Sequence, residues 1–367
     1  MNPIFDVIFP VFAIIGMGYG ASKLNWVKES TVNGLSDFTY HFAVPVMLVQ
    51  TISRSSLPDQ VPWAFLFSYY GASFSVMTLG FLSCRTLLRR DFRDSAMHGF
   101  TSTFPNTVLL GIPVVLMAFG EEATVPLFLI ISLHSTLLLP VITTLMEIAK
   151  GRNASLSKVT RNALRGIATN PIILSLVSGI LMNLFNLQLP EPLDPVAELM
   201  GDAVTPCSLF ALGATLTRFQ IAGRWKDMLS LVSGILMNLF NLQLPEPLDP
   251  VAELMGDAVT PCSLFALGAT LTRFQIAGRW KDMGMVVLAK LLLQPMIVAF
   301  LALVVFQLEY GLWVHVAILI AAQPVGVTPY LFASRYQVNV ALASNAMLIT
   351  TLLAPITLST LLWLFHR

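Results

Sequence analysis

TFPNTVLLGIP, residues Thr103–Pro113, sits inside an apolar run yet carries two prolines, an asparagine and a glycine. Proline removes a backbone donor and crowds the turn before it. In lipid the freed carbonyls meet no water, so such a break is tolerated only inside protein or against a cavity. A second interruption, AAQPVGVTP at Ala321–Pro329, has the same character. Pro105 and Pro113 bracket Asn106 and Gly111, and Pro324 and Pro329 bracket Gly326 and Thr328.

The surrounding composition sets the solvent. Of 367 residues 56% are hydrophobic and 11% are charged, with mean hydropathy +0.75. Soluble domains carry about 25% charged residues. Apolar runs recur along the chain, which marks an all-α integral membrane protein. A net charge of +1 points to no nucleic-acid partner. Cys84, Cys207 and Cys262 lack CxxC spacing, so neither a disulfide framework nor a zinc site is expected. No nucleophile–base pair, phosphate-binding loop or cofactor motif emerges, so the expectation is a non-enzyme without cofactors. The start, MNPIFDVIFPVF, lacks a basic leader and cleavage site and reads as the first span.

Ten apolar segments follow in order: Pro3–Ser22, Val32–Ile52, Val61–Cys84, Ala96–Phe119, Val125–Ile148, Gly166–Leu187, Val196–Leu216, Met285–Phe306, Gly311–Ser334 and Val338–Leu364. They are numbered here as spans 1 to 10. Lysines and arginines concentrate in alternate loops: Lys23 and Lys28, Arg85 to Arg93, Lys150 to Arg165, Arg218 to Lys226, and Arg335. The other loops hold Arg54 and acidic turns such as PEPLDP. Basic loops stay cytoplasmic, so both termini are expected outside an inner membrane.

Leu174–Met228 and Leu229–Met283 are identical over 55 residues. Structural repeats diverge; perfect identity reads as a recent, engineered or assembly-derived duplication. In the second copy the apolar run reaches only from Met228 to about Leu244, short of the roughly 20 residues that a span needs. Removing one copy leaves a 312-residue core. The duplicate adds an expected short hairpin near Leu229–Leu242 and Val251–Leu271.

The core also carries a weaker internal likeness. STLLLPVITTL (Ser135–Leu145) in span 5 matches TTLLAPITLSTL (Thr350–Leu361) in span 10. TFPNTVLLGIP in span 4 meets AAQPVGVTP in span 9, and HFAVP (His41–Pro45) meets DAVTP (Asp202–Pro206). The order suggests a five-span unit used twice, over residues 1–150 and 166–367, and five is odd, so the second lies inverted. Inverted repeats with interrupted helices at corresponding places point to a secondary transporter. If both breaks meet, half-helix N-termini offer free N–H groups and partial positive charge to a small anion. Asn106, Gln323 and Thr328 would add hydrogen bonds, with Gly111, Pro113, Pro324, Gly326 and Pro329 shaping the backbone. The plainer alternative is that these prolines only kink two buried helices.

Three titratable residues stand out. Lys290, in LAKLLLQP, is about seven residues from Met283, roughly 10 Å along a helix. It is either functional or snorkelling to the cytoplasmic surface. His134 is a proton-site candidate or a structural histidine. Asp37 and His41 share a helix face as a relay or a simple pair. Spans 3–5 and 8–10 hold no central Asp or Glu, which disfavours cation exchange.

GMGYGASK (Gly16–Lys23), YHFAVPVML (Tyr40–Leu48), PNTVLLGIP (Pro105–Pro113), FALGATL (Phe210–Leu216), LAKLLLQP (Leu288–Pro295) and ASRYQVN (Ala333–Asn339) together resemble the auxin efflux carrier family. The resemblance covers the chain except one copy of the duplicate. It implies a ten-span inverted-repeat fold shared with bile-acid-type symporters. Scaffold spans, about 3–52 and 166–216, would also form a homodimer. Transport spans, about 61–148 and 285–364, would hold crossed spans 4 and 9, with Asn106 and Pro113 on one and Pro324 and Pro329 on the other. Bacterial members are commonly assigned small carboxylates such as malonate or malate. The expected activity is elevator-type carriage of a small organic anion. A sodium-coupled symporter and a non-transporting membrane sensor are the alternatives.

Overall fold

The computed structural model describes residues 7–55, 62–149, 161, 168–187, 189–217 and 280–365. Among these residues the regular elements are helices, and one isolated bridge joins Pro105 to Val325. Five stretches are long and apolar enough to cross a bilayer: Trp63–Thr86, Glu121–Ala149, Glu191–Leu216, Trp280–Val305 and Val340–Phe365. They fall on spans 3, 5, 7, 8 and 10. Spans 1 and 6 form the shorter helices Phe9–Lys23 and Pro171–Leu184, and span 2 runs from Glu29 to Arg54. The chain is a multi-pass membrane protein.

Prolines explain most of the local irregularities. Three of the π-helical turns, Thr39–Ala43, Thr107–Gly111 and Ala289–Leu293, each end two residues before a proline, Pro45, Pro113 and Pro295, whereas a fourth, Leu301–Val305, has none at that place. A wider turn makes room for a ring that would clash with the carbonyl four residues back. Several buried hydroxyls are satisfied within their own helices. Ser73, Thr101, Thr215 and Thr351 each donate to the carbonyl four residues earlier, at 2.7–2.9 Å. No lipid-facing acceptor is then required.

Small residues set the closest helix contacts. Span 1 packs on span 7, where Gly18 lies against the Phe210 backbone and Gly213 against that of Ile15. Span 2 packs on span 6 through Gly179 and Ile52, and span 3 on span 4 through Gly80 and Gly99. Without a hydrophobic drive between helices in lipid, such close approach supplies the packing energy. Gly18→Leu is therefore expected to destabilise the protein in detergent by roughly 1–3 kcal/mol, read as a lowered unfolding midpoint. Gly18 suits this test because no identical copy of span 1 exists to replace it.

The first copy of the duplicate supplies spans 6 and 7. Residues 174–187 and 189–217 build spans 6 and 7, and Trp280–Met283, the last four residues of the second copy, open span 8. The reason lies upstream. Asn170 caps span 6, accepting from the N–H groups of Ile172 (2.9 Å) and Ile173 (3.4 Å), with Pro171 in the first turn. These devices fix a helix start. At the same places before the second copy stand Trp225, Lys226, Asp227 and Met228, which supply neither a proline nor that cap. The expected hairpin near 229–242 and 251–271 lies outside the described residues.

Candidate functional site

Spans 4 and 9 are both broken, and the breaks meet. Span 4 is helical over Phe92–Thr103, leaves the helix at Phe104–Asn106, and resumes as the π turn Thr107–Gly111 followed by Ile112–Phe119. Span 9 is helical over Leu312–Ala321 and again over Val327–Tyr336. The Asn106 N–H donates to the Pro324 carbonyl at 2.8 Å, and the Gly326 N–H donates to the Phe104 carbonyl at 3.0 Å. This is one rung of antiparallel sheet at the crossing of two helices. It pairs backbone groups that the prolines have released.

Proximity requires glycine at Gly326, where the neighbour is backbone, while the neighbour of Gly111 is the end of a side chain that can turn aside. A Cβ on Gly326 would lie 2.9 Å from the Pro105 oxygen, and one on Gly111 would lie 2.9 Å from the Ile320 Cδ1. Gly111 and Gly326 thus let the two spans touch. Thr350 of span 10 adds a further tie, its Oγ1 accepting from the Val325 N–H at 3.0 Å.

The ends of the half-helices are treated unequally. The first half of span 4 ends at Thr103, whose carbonyl accepts from Gln294 Nε2 at 3.1 Å. The first half of span 9 ends at Ala321, whose carbonyl accepts from Lys290 Nζ. Lys290 Nζ also donates to Gln294 Oε1 at 2.7 Å, and Gln294 Nε2 reaches Ser73 Oγ at 3.3 Å. Both C-terminal ends are therefore capped from span 8. The N-terminal ends, opening at Thr107 and Val327, have no side-chain cap.

Two side chains at the crossing are buried with an unmet atom. Asn106 Nδ2 and Gln323 Oε1 find no partner among the described residues, at 5% and 0% exposure. Gln323 Nε2 spends its donor on the Leu319 carbonyl at 3.1 Å. Two such atoms at one helix crossing make it the candidate binding point among the described residues.

Of the residues singled out in the sequence, Asn106, Gly111, Gln323, Pro324 and Gly326 converge on the crossing. Thr328 and Pro329 lie in the first turn of Val327–Tyr336, and Pro113 stands just past the π turn. Lys290 does not snorkel; it is fully buried and bonded to span 9. His134 sits beside the break with its ring 4.5 Å from that of Phe104, and neither ring nitrogen has a partner among the described residues. Asp37 lies apart on an exposed face, where His41 Nδ1 meets its backbone carbonyl at 3.1 Å rather than its carboxylate. Gln294, Ser73 and Thr350 were not singled out. The signal for Gln294 was present, because Lys290 and Gln294 are four apart and share a helix face.

A separate cavity of about 540 Å³ is lined by the ends of spans 2, 5, 7 and 9. Glu121, Glu122 and Glu198 line it, and none of the crossing residues does. Arg54 also lines it but is paired with Asp194, and the three carboxylates leave the cavity an acidic excess that disfavours an anion.

Comparison with known proteins identifies the family. The model of the family described as "Membrane transport protein" matches residues 3–230 and 227–364, two pieces that meet at the junction of the identical copies. The chain belongs to this membrane transport protein family. A protein of Rhizobium meliloti (strain 1021) described as "Putative malonate transporter" is 25% identical over 366 residues, covering 100% of this chain and 97% of its own. Auxin efflux carrier component 8 of Arabidopsis thaliana is 23% identical over 363 residues, covering 95% and 94%. The lysosomal cholesterol signaling protein of Mus musculus is 25% identical over 274 residues, covering 70% of this chain and 31% of its own. The resemblance to auxin efflux carriers therefore extends over nearly the whole chain.

Proposed function

We propose that this protein is a secondary carrier that moves a small organic anion across the inner membrane by elevator-type alternating access. The observation that carries the reading is the crossing itself: two uncapped half-helix N-termini beside the orphaned Asn106 Nδ2. Free N–H groups and the positive ends of helix dipoles favour a carboxylate. Asn106, Gln323 and Thr328 supply directed hydrogen bonds, while Gly111, Pro113, Pro324, Gly326 and Pro329 hold the backbone open. The likeness to a protein described as "Putative malonate transporter" favours malonate as the first substrate to try.

In this reading spans 3–5 and 8–10 form the moving body, and spans 1, 2, 6 and 7 form a scaffold that also dimerises. The pairing of span 1 with span 7 and of span 2 with span 6 supports that division. So does the likeness of Thr124–Ala149 and Val340–Phe365, two 26-residue helices each with one interior proline. These would be equivalent members of an inverted five-plus-five repeat with both termini outside.

The test is uptake of labelled malonate by proteoliposomes containing the full chain, with and without sodium. Saturable, competable flux without sodium supports the carrier. Flux that requires sodium replaces it with a symporter of the bile-acid type. A sensor reading draws on the likeness to the lysosomal cholesterol signaling protein. Binding of malonate with no flux would favour it.

A further inference from the structure

Lys290 is the fully buried cation nearest the crossing, and no acidic side chain among the described residues forms an ion pair with it. A buried ammonium without a counter-charge is costly unless its neighbours supply negative potential. They do so through backbone. Lys290 Nζ donates to the Ala321 carbonyl at the C-terminal end of one half-helix. Through Gln294 it is linked to the Thr103 carbonyl at the C-terminal end of the other. Each helix end carries about half an elementary charge. Two C-terminal ends together therefore match one ammonium.

We propose that Lys290 and Gln294 form an internal latch that neutralises both half-helix C-termini and holds the two breaks in register, leaving the N-terminal ends as the uncompensated charge that meets the anion. Lys290 is then a positioning residue and not the counter-ion of the substrate. The latch reaches further than this pair. Gln294 Nε2 also donates to Ser73 Oγ at 3.3 Å, and Thr103 Oγ1 donates to the Ser73 carbonyl at 2.9 Å. Spans 3, 4, 8 and 9 are thereby joined at one depth. Thr350 performs a related task on the other side of the bridge, receiving the Val325 N–H at 3.0 Å. The charge match has a consequence for the ligand. With the C-terminal ends cancelled, two N-terminal halves leave about one positive charge, which suits a single carboxylate group at the crossing.

The inference rests on the carrier reading only where it concerns the anion, so the experiment has two arms. The first needs no ligand. Hydrogen–deuterium exchange is measured on the purified full chain and on Lys290→Met, Gln294→Leu and Lys290→Arg. Lys290→Met and Gln294→Leu are expected to speed exchange of peptides covering 104–107 and 321–327 by about tenfold, while peptides from span 1 stay unchanged. Lys290→Arg keeps the charge and restores part of the protection. Unchanged exchange at both breaks in the two latch variants would overturn the latch. If Lys290→Met fails to fold, Gln294→Leu carries the same test with the cation left in place.

The second arm measures binding of malonate and of its neutral isostere malonamide. The wild type is expected to favour malonate, and Lys290→Met to lose about tenfold or more of that preference. A preference for the anion that survives in Lys290→Met would overturn the electrostatic half of the proposal. Failure of the wild type to bind malonate would count against malonate as the cargo, and the exchange measurement would then decide for or against the latch by itself.

Discussion

Replacing Asn106 by alanine is expected to weaken malonate transport at least about tenfold in half-saturation while the chain still inserts and folds. Its Nδ2 is buried and has no partner among the described residues, so truncation strands no other group. The fold keeps the Asn106 backbone tie to Pro324, which any residue except proline can make. What is lost is a donor aimed at a charged ligand. Hydrogen bonds to charged groups are worth about 1.5–3 kcal/mol, or roughly ten- to hundredfold in affinity. The expected result is a half-saturation constant raised by at least that factor, with an unchanged unfolding midpoint in detergent. Transport with wild-type kinetics would remove Asn106 from the site.

Gly326→Val is expected to abolish transport and to destabilise the crossing together. Its Cβ would lie 2.9 Å from the Pro105 oxygen and 3.2 Å from the Pro105 carbonyl carbon. Those are backbone atoms and cannot rotate aside. The breaks must separate, and with them go the Asn106 N–H bond to Pro324 and the Gly326 N–H bond to Phe104. Two broken bonds leave four buried backbone groups unmet at about 1–3 kcal/mol each, so a loss of roughly 4–12 kcal/mol is expected if none of them finds a new partner. The check is the unfolding midpoint in detergent beside malonate uptake in proteoliposomes. A variant as stable and active as the wild type would mean that the two spans do not touch where they are placed here.

The two predictions separate the parts of the site. Asn106 is expected to matter for affinity and not for stability. Gly326 is expected to matter for both, because it permits the contact on which the site is built.

The breaks were legible in the sequence because their chemistry resides in residue type. A proline without an N–H disturbs a helix wherever it occurs, and lipid forbids leaving the freed groups exposed. The start of span 6 was legible for a similar reason, through Asn170 and Pro171 at its head. The capping of the breaks was not legible. Lys290 and Gln294 stand 31 residues from Ala321 and 191 from Thr103, respectively. Nothing local to Gln294 reveals that its amide turns toward span 4. A glutamine in an apolar helix reads as neutral until its partners are known. Lys290 stood between two readings for the same reason, since depth along a helix does not say which face a side chain leaves from. His134 and Thr350 each lie ten residues beyond the start of a 26-residue helix, one beside each break. Asp37 illustrates the opposite case. Its spacing to His41 suggested a side-chain pair, but the histidine turns to the backbone carbonyl instead.

The central claim is that two interrupted helices meet in the interior and hold an anion on their exposed peptide N–H groups. An experimental structure of the full chain in lipid nanodiscs with saturating malonate tests it most directly. Ligand density is expected within hydrogen-bond reach of Asn106 Nδ2 and the first turn of Val327–Tyr336. Continuous helical hydrogen bonding through 104–106 and 322–326, or malonate seated away from the crossing, would contradict it.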